Sequence, residues 1–237
     1  MPDTPSSDAA TLGRRERERL VRREAMLSAA RSLFAEKGYE QARLEEIAER
    51  AEFGKGTLYN YFEGGKQELL FAIFEDAFEG VRRLVETCMA EEAAAGHTVR
   101  TAFRNLVARL IAHFSEERAT FLILMKEAQR MGLAADSEAV QRLIALRERP
   151  IEALAGAIQA AMDAGALRPF EPHVVAHMIM GNVHGYLMYA CSPAFSPERS
   201  IMATPERAAD FIASILFDGL ITAPETPFVL PAPETRS

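Results

Sequence analysis

Between Leu44 and Phe62 the chain reads LEEIAERAEFGKGTLYNYF, and the residues able to do chemistry crowd toward its end. Lys55 puts a positive charge at the start of a short helix, where free N–H groups and the positive dipole end already favour a phosphate. Gly56 lets a backbone come close to a partner. Thr57 and Tyr59 are suited to base edges, thymine methyls or phosphates, and Asn60 to adenine or a phosphate, depending on how the helix is rotated. Tyr61, and Lys66 at the start of the following helix, suit phosphate contact. A helical hairpin buried by chance in a core would not need a second helix that is polar outside and basic at its start.

These residues require a scaffold. Ile47, Ala48 and Ala51 fall on one face of a short helix, with Glu45, Glu46, Glu49 and Arg50 taking most of the other. Glu52-Phe53-Gly54 breaks it, and Lys55 to Tyr61 forms a second helix anchored by Leu58 and Phe62. Two short helices around a tight corner make a helix-turn-helix, whose second helix enters the DNA major groove. Upstream, from roughly Arg17 to Lys37, Met26, Ala29, Ala30, Leu33 and Phe34 give one apolar stripe, and Gly38 ends the helix. Leu33, Phe34, Ile47, Ala48, Leu58 and Phe62 are expected to share a small core.

Downstream the helical rhythm continues. Glu63-Gly64-Gly65 makes a turn, and a helix follows from Lys66 to about Glu92, the one element expected to touch both the head and the rest. Ala93 to His97 reads as a loop, Val99 to Phe114 as a helix, and Ser115-Glu116-Glu117 as a new start leading to Phe121–Met131. After a break at Gly132 to Asp136, Ser137 to Ala164 contains Pro150, which must kink or split it. His173 to Tyr189 is nearly uncharged and apolar on most faces, so burial on most sides is expected. A loop over Cys191 to Pro205 precedes a last helix, about Pro205 to Leu220. No strand signal or internal repeat is found. The expected fold is all-α with about nine helices: a DNA-binding domain over 14–65, a larger helical domain over 66–222, and disordered tails at 1–13 and 223–237.

The chain of 237 residues carries a net charge of −7, which weighs only weakly against nucleic acid because a binding footprint is local. Arg14 to Arg31 holds seven arginines against three glutamates. That run reads either as a solvated helix face with i,i+4 pairs such as Glu18 to Arg22, or as an arm on DNA backbone or minor groove. No run approaches the ~18 apolar residues of a membrane span, and MPDTPSSDAATLG has no apolar signal core. Two distant cysteines, Cys88 and Cys191, fit a reduced cytoplasmic setting. His173, His177 and His184 lie at i, i+4, i+11; the first pair suits a metal, but nothing nearby completes a site, and packing or a subunit contact is the better reading. No metal or cofactor is expected.

The stretch AEFGKGTLYNYF resembles the recognition-helix signature of the TetR family of transcriptional regulators. The resemblance covers Met26 to about Leu70 in motif detail and thereafter only length and helical rhythm. It implies a homodimer on a palindromic double-stranded operator, with a small-molecule effector bound in the larger domain and the last two helices packed on their partner copies. Phe74, Phe78, Phe103, Met125, Met162 and Met178 are candidates for an apolar, adaptable effector cavity. His177, Gly181, His184, Gly185, Ile212 and Leu216 are candidates for the interface between subunits. Where the family commonly has Thr or Ser, this chain has Ala42 and Arg43; a cap is lost and Arg43 becomes a further phosphate candidate. Glu52 stands where the family often has Gly, Gly54 replaces a Ser cap, and Gly64-Gly65 is one residue longer than usual. No nucleophile elbow, P-loop or paired carboxylate set appears, so the chain is not expected to be an enzyme. The expected function is a ligand-responsive repressor. An architectural DNA binder with a filled core, or an all-α enzyme with a helix-turn-helix-like start, are the other classes.

Overall fold

The computed structural model describes residues 13–132, 138–192 and 203–219. Among them nine α-helices form, closed by a π-helical turn, and no strand is present. In chain order these are α1 (Arg14–Lys37), α2 (Leu44–Arg50), α3 (Lys55–Tyr61), α4 (Gly65–Ala94), α5 (Val99–Glu116), α6 (Arg118–Gly132), α7 (Glu138–Asp163), α8 (Pro172–Ala190) and α9 (Pro205–Ala213), with the π-turn over Ser214–Asp218. The tails expected to be disordered lie outside the described residues except for Gly13, the N-cap of α1. Most of the expected break at Gly132 to Asp136 and most of the Cys191 to Pro205 loop also lie outside them.

The apolar stripe of α1 is buried as its spacing requires, from Met26 and Leu27 to Leu33 and Phe34. Gly38 ends the helix at φ 78, with its N–H bonded to Phe34 O at 2.9 Å. The α2–α3 corner is a Schellman turn. Phe53 N–H bonds to Ala48 O at 2.9 Å, and Glu52 N–H to Glu49 O at 3.0 Å. The turn forces Glu52 to φ 60, the only positive φ at a non-glycine among the described residues.

Two apolar cores result, and α4 runs through both. The head-side core joins α1, α2 and α3 to Leu69–Phe74 of α4, Ile123 and Leu124 of α6, and Leu143 and Leu146 of α7. The body core takes Val81, Val85 and Cys88 of α4 together with α5, the second half of α7, α8 and α9. The sequence reading gave α4 alone the task of touching both regions; α7 does so too, and α6 contributes to each.

Three local expectations change. Ser115 and Glu116 extend α5, and the break falls at Glu117. Pro150 does not split α7: the helix continues through it, with Pro150, Ile151 and Leu154 buried. The missing N–H removes one backbone bond, but burial of the flanking apolar residues holds both halves together. In α8, burial reaches only one side. Ala176, Ile179, Met180, Val183 and Leu187 are covered, while Val174 and Met178 are 56% and 58% exposed in the single chain.

A stability prediction follows from the corner. An L-residue at positive φ costs about 1–2 kcal/mol, and glycine's extra unfolded-state entropy takes back about 0.5–1 kcal/mol. Glu52→Gly is therefore expected to raise the urea midpoint, with a net gain of roughly 0.5 kcal/mol. A lowered midpoint would show that the Glu52 side chain stabilises the turn by other means.

Candidate nucleic-acid interface and ligand cavity

Helix α3 is held by very few atoms. Leu58 and Phe62 are 0% and 1% exposed, whereas Lys55, Gly56, Tyr59 and Asn60 are exposed and Thr57 and Tyr61 half-buried. The proposed reading residues thus share an outer face, and a Cβ on Gly56 would meet no atom of the chain within 4 Å. Nothing in the internal packing of the head calls for that glycine. Gly54 caps α3 without a side-chain bond, so its first N–H groups are left to a ligand or water.

Ion pairs set the angle of this unit. Arg50 grips Glu36 of α1 through both nitrogens, at 2.5 and 2.9 Å, and also donates to Ser32 at 2.9 Å. Lys37 at the end of α1 bonds Glu46 of α2 at 2.7 Å. Lys55 is paired with Glu45 of α2, so its ammonium sits over the α2–α3 cleft. Arg43 is exposed at the N-cap of α2; its own N–H donates to Glu46 at 3.2 Å, while its guanidinium has no acceptor with which to cap in return.

Lys66 is placed differently from the other cations. Its ammonium donates to the Tyr39 and Glu40 carbonyls at 2.9 and 3.1 Å and lies 4.5 Å over the Tyr39 ring. Of its three protons, one is left for a phosphate. The opposite side of that loop is held by α6: Arg130 lies 5.3 Å from the Tyr39 ring and 3.2 Å from Glu40. Sequence reasoning did not find this clamp, because its members lie far apart in the chain.

The larger helical region holds a partly open cavity of about 690 Å³, within the size range of small-molecule sites, with the exposed Phe170, Val174 and Met178 at its solvent side. It lies between α5, the end of α7, the start of α8 and the π-turn, with Phe103, Met162, Met178 and Leu216 among its walls. Arg168 and Glu171 are its charged members. Phe78 instead lines a separate cavity of about 160 Å³, with Arg147, Pro150, His177 and His184. Phe74 is packed in the head-side core and Met125 against the body core; neither reaches these cavities.

The interface candidates also divide. Gly181, Gly185 and Ile212 line an open groove of about 440 Å³ between α8 and α9, with Met178, Tyr189 and Phe211. Leu216 points to the larger cavity instead. His177 lies 3.3 Å from Glu148 of α7. His184 packs edge-on against Phe114 at 5.7 Å and near Phe121 at 6.0 Å; burial, with Arg147 nearby, lowers its pKa. His173 lies 3.5 Å from Glu171. The three histidines therefore face different partners.

Residues 26–73 match the family model described as bacterial regulatory proteins, tetR family. The chain is 26% identical over 160 residues to an uncharacterised HTH-type transcriptional regulator, YhgD, of Bacillus subtilis (strain 168), covering 67% of this chain and 78% of that one. Its fold matches that of the transcriptional regulator FadR from Bacillus subtilis in complex with stearoyl-CoA, at a TM-score of 0.69 and 16% identity, over 84% of this chain and 99% of that one. It likewise matches AibR in complex with isovaleryl coenzyme A and operator DNA, at a TM-score of 0.57 and 24% identity, over 83% and 98% of the two chains.

The ion pairs yield a pH prediction. Glu36, Glu45 and Glu46 are each held below the ordinary 4.5, chiefly by hydrogen bonds from Arg50, Lys55 and Lys37 respectively. A lowered folded pKa means the contribution is complete above the unfolded value and is lost as pH falls through the folded one. Thermal midpoints should therefore fall as pH drops below about 4.5, and fall less steeply in Glu36→Gln. Parallel curves for the two proteins would rule out a contribution from the Arg50–Glu36 pair.

Proposed function

With residues 26–73 matching the family model of the bacterial regulatory proteins of the tetR family, we propose that this protein is a dimeric transcriptional repressor released from a palindromic operator by an acyl-type ligand. The observation that carries the DNA half is the exposed face of α3. Two buried side chains hold that helix, while Tyr59 and Asn60 stand exposed to meet a groove, and Lys55 beside them would exchange its bond to Glu45 for a phosphate. Gly56, Thr57 and Tyr61 belong to the same helix, the exposed Arg43 at the start of α2 is a further phosphate candidate, and Lys66 supports the head through the Tyr39 loop. Phosphate contacts would fix register, and Thr57, Tyr59 and Asn60 would read bases.

The effector half rests on the large cavity. Its apolar walls suit a hydrocarbon chain, and Arg168 suits an anionic or thioester-linked head group at the rim. FadR, which shares the fold, holds stearoyl-CoA, and AibR holds isovaleryl coenzyme A. An architectural DNA binder would have no use for such a cavity. The path to the head runs along α7, which lines the cavity with Ile158 and Met162 and enters the head-side core with Leu143 and Leu146.

Dimerisation is inferred from α8. Its exposed side presents Met178, Gly181, Asn182 and Gly185 beside Phe211 of α9, an uncharged groove with two glycines one turn apart. A second copy packed across it would bury Val174 and Met178 and set two heads against one duplex. Such a regulator works in the cytoplasm, beside the DNA.

The test is selection of duplexes from a random pool by the wild-type protein, followed by Tyr59→Ala. Selected sites should be two-fold palindromes, and Tyr59→Ala should weaken their binding more than it weakens binding to unrelated DNA. Failure to enrich any site would overturn the DNA reading. Sites without two-fold symmetry would overturn the dimer.

A further inference from the structure

Helix α1 is longer than its core requires. Burial begins at Met26, yet the helix starts at Arg14. The intervening turns, roughly 18 Å of helix, are exposed apart from the half-buried Arg23, with Leu20 at 50% and Val21 at 70%. A helix end that buries so little has no apolar packing reason to persist; the exposed Arg14–Glu18 pair at 2.9 Å is an ion pair within it.

The arginines on it are not spread evenly. Arg15, Arg19, Arg22 and Arg23 fall on the same side as Met26 and Ala30, because spacings of four and three residues keep one helical face. The inner face of α1 therefore changes from apolar to cationic just where α3 ends. Arg23 marks the change: its guanidinium lies 5.7 Å from the Phe62 ring and 3.7 Å from Asp76. One turn outward, the Arg19 guanidinium lies 5.9 Å from the ring of Tyr61, the last residue of α3. Arg15 is another turn beyond, past the end of α3. Neither Arg15, Arg19 nor Arg22 has a carboxylate partner among the described residues. Glu18 is taken by Arg14, which leaves Glu16 as the opposing charge on that flank.

We infer that the first half of α1 is a second DNA contact, in which Arg15, Arg19 and Arg22 hold the sugar-phosphate backbone beside the groove that α3 enters. The inference rests on the DNA reading above and enlarges it. Three facts support it together: the cations lack internal partners, they share the face that leads to Tyr61, and the rest of a chain of net charge −7 is acidic. Such contacts position and tighten without reading sequence. Arg19 stacked on Tyr61 would couple the two contacts, so that both engage in one orientation.

The experiment compares the wild type with the combined Arg15→Ala, Arg19→Ala, Arg22→Ala variant on a duplex selected by the wild type. Affinity is followed against salt, and the protected region is mapped by hydroxyl-radical footprinting. Each lost phosphate contact lowers the salt slope by about 0.9, so a fall of about 2 to 3 units is expected. Protection should shrink at the outer edges, and specific and unrelated DNA should lose affinity by the same factor. The matching triple lysine variant should keep most of the slope. The Arg15→Ala, Arg22→Ala pair, neither member of which stacks on α3, gives the same reading should the triple melt early. An unchanged slope and footprint in both alanine variants would overturn the inference. If Tyr59→Ala also left binding to that duplex intact, the fault would lie with the DNA reading itself.

Discussion

Helix α3 has seven residues, too few to be stable alone in water. Its conformation is therefore borrowed from the head-side core through Leu58 and Phe62, and everything the head can do depends on that loan. Because these two side chains supply most of the burial, with Tyr61 at the edge of the core, Gly56, Tyr59 and Asn60 are left exposed. The Schellman turn at Glu52 and the Arg50–Glu36 and Lys37–Glu46 pairs then fix the direction in which the free face points. Exposed ion pairs contribute little stability individually; here they restrict orientation, which is what a reading helix needs.

The same core explains how the rest of the molecule can influence the head. It is not closed at the end of α3 but continues into α4, α6 and α7. Tyr39 lies between Lys66 of α4 and Arg130 of α6, and Asp76 of α4 meets Arg23 and Arg31 of α1. Burial raises the Asp76 pKa despite both arginines, so those pairs position α1 on α4 more than they stabilise it. A shift of α7, which lines the cavity, would reach α3 through the packed side chains of the head-side core.

Much of the head was legible because its signals are local. The spacing of Ile47, Ala48 and Ala51, the break at Glu52 to Gly54, and the anchors Leu58 and Phe62 all fall within one short stretch. The stripe of α1 and the glycine that ends it were equally plain. What was not legible depends on distant neighbours. Phe74 and Phe103 have the same chemistry and helical spacing, yet one fills a core and the other lines a cavity. Pro150 obeyed its tertiary surroundings and not its local rule. The apolar coat of α8 announced burial, but a single chain covers only one side. The Lys66–Tyr39–Arg130 clamp joins residues from three elements and leaves no periodic trace.

The central claim is that cavity and operator are linked, and linkage is reciprocal: each ligand must change the other's affinity by the same factor. Met162→Trp makes the most direct probe, since the chain contains no tryptophan and Met162 lines the cavity. The measurement is the affinity of a long-chain acyl-CoA, read by that fluorescence, with and without a saturating selected duplex, set beside duplex affinity with and without the acyl-CoA. The account predicts that both affinities fall by one common factor, of about 5 to 150. An acyl-CoA that quenches the tryptophan yet binds equally well with and without DNA would contradict it.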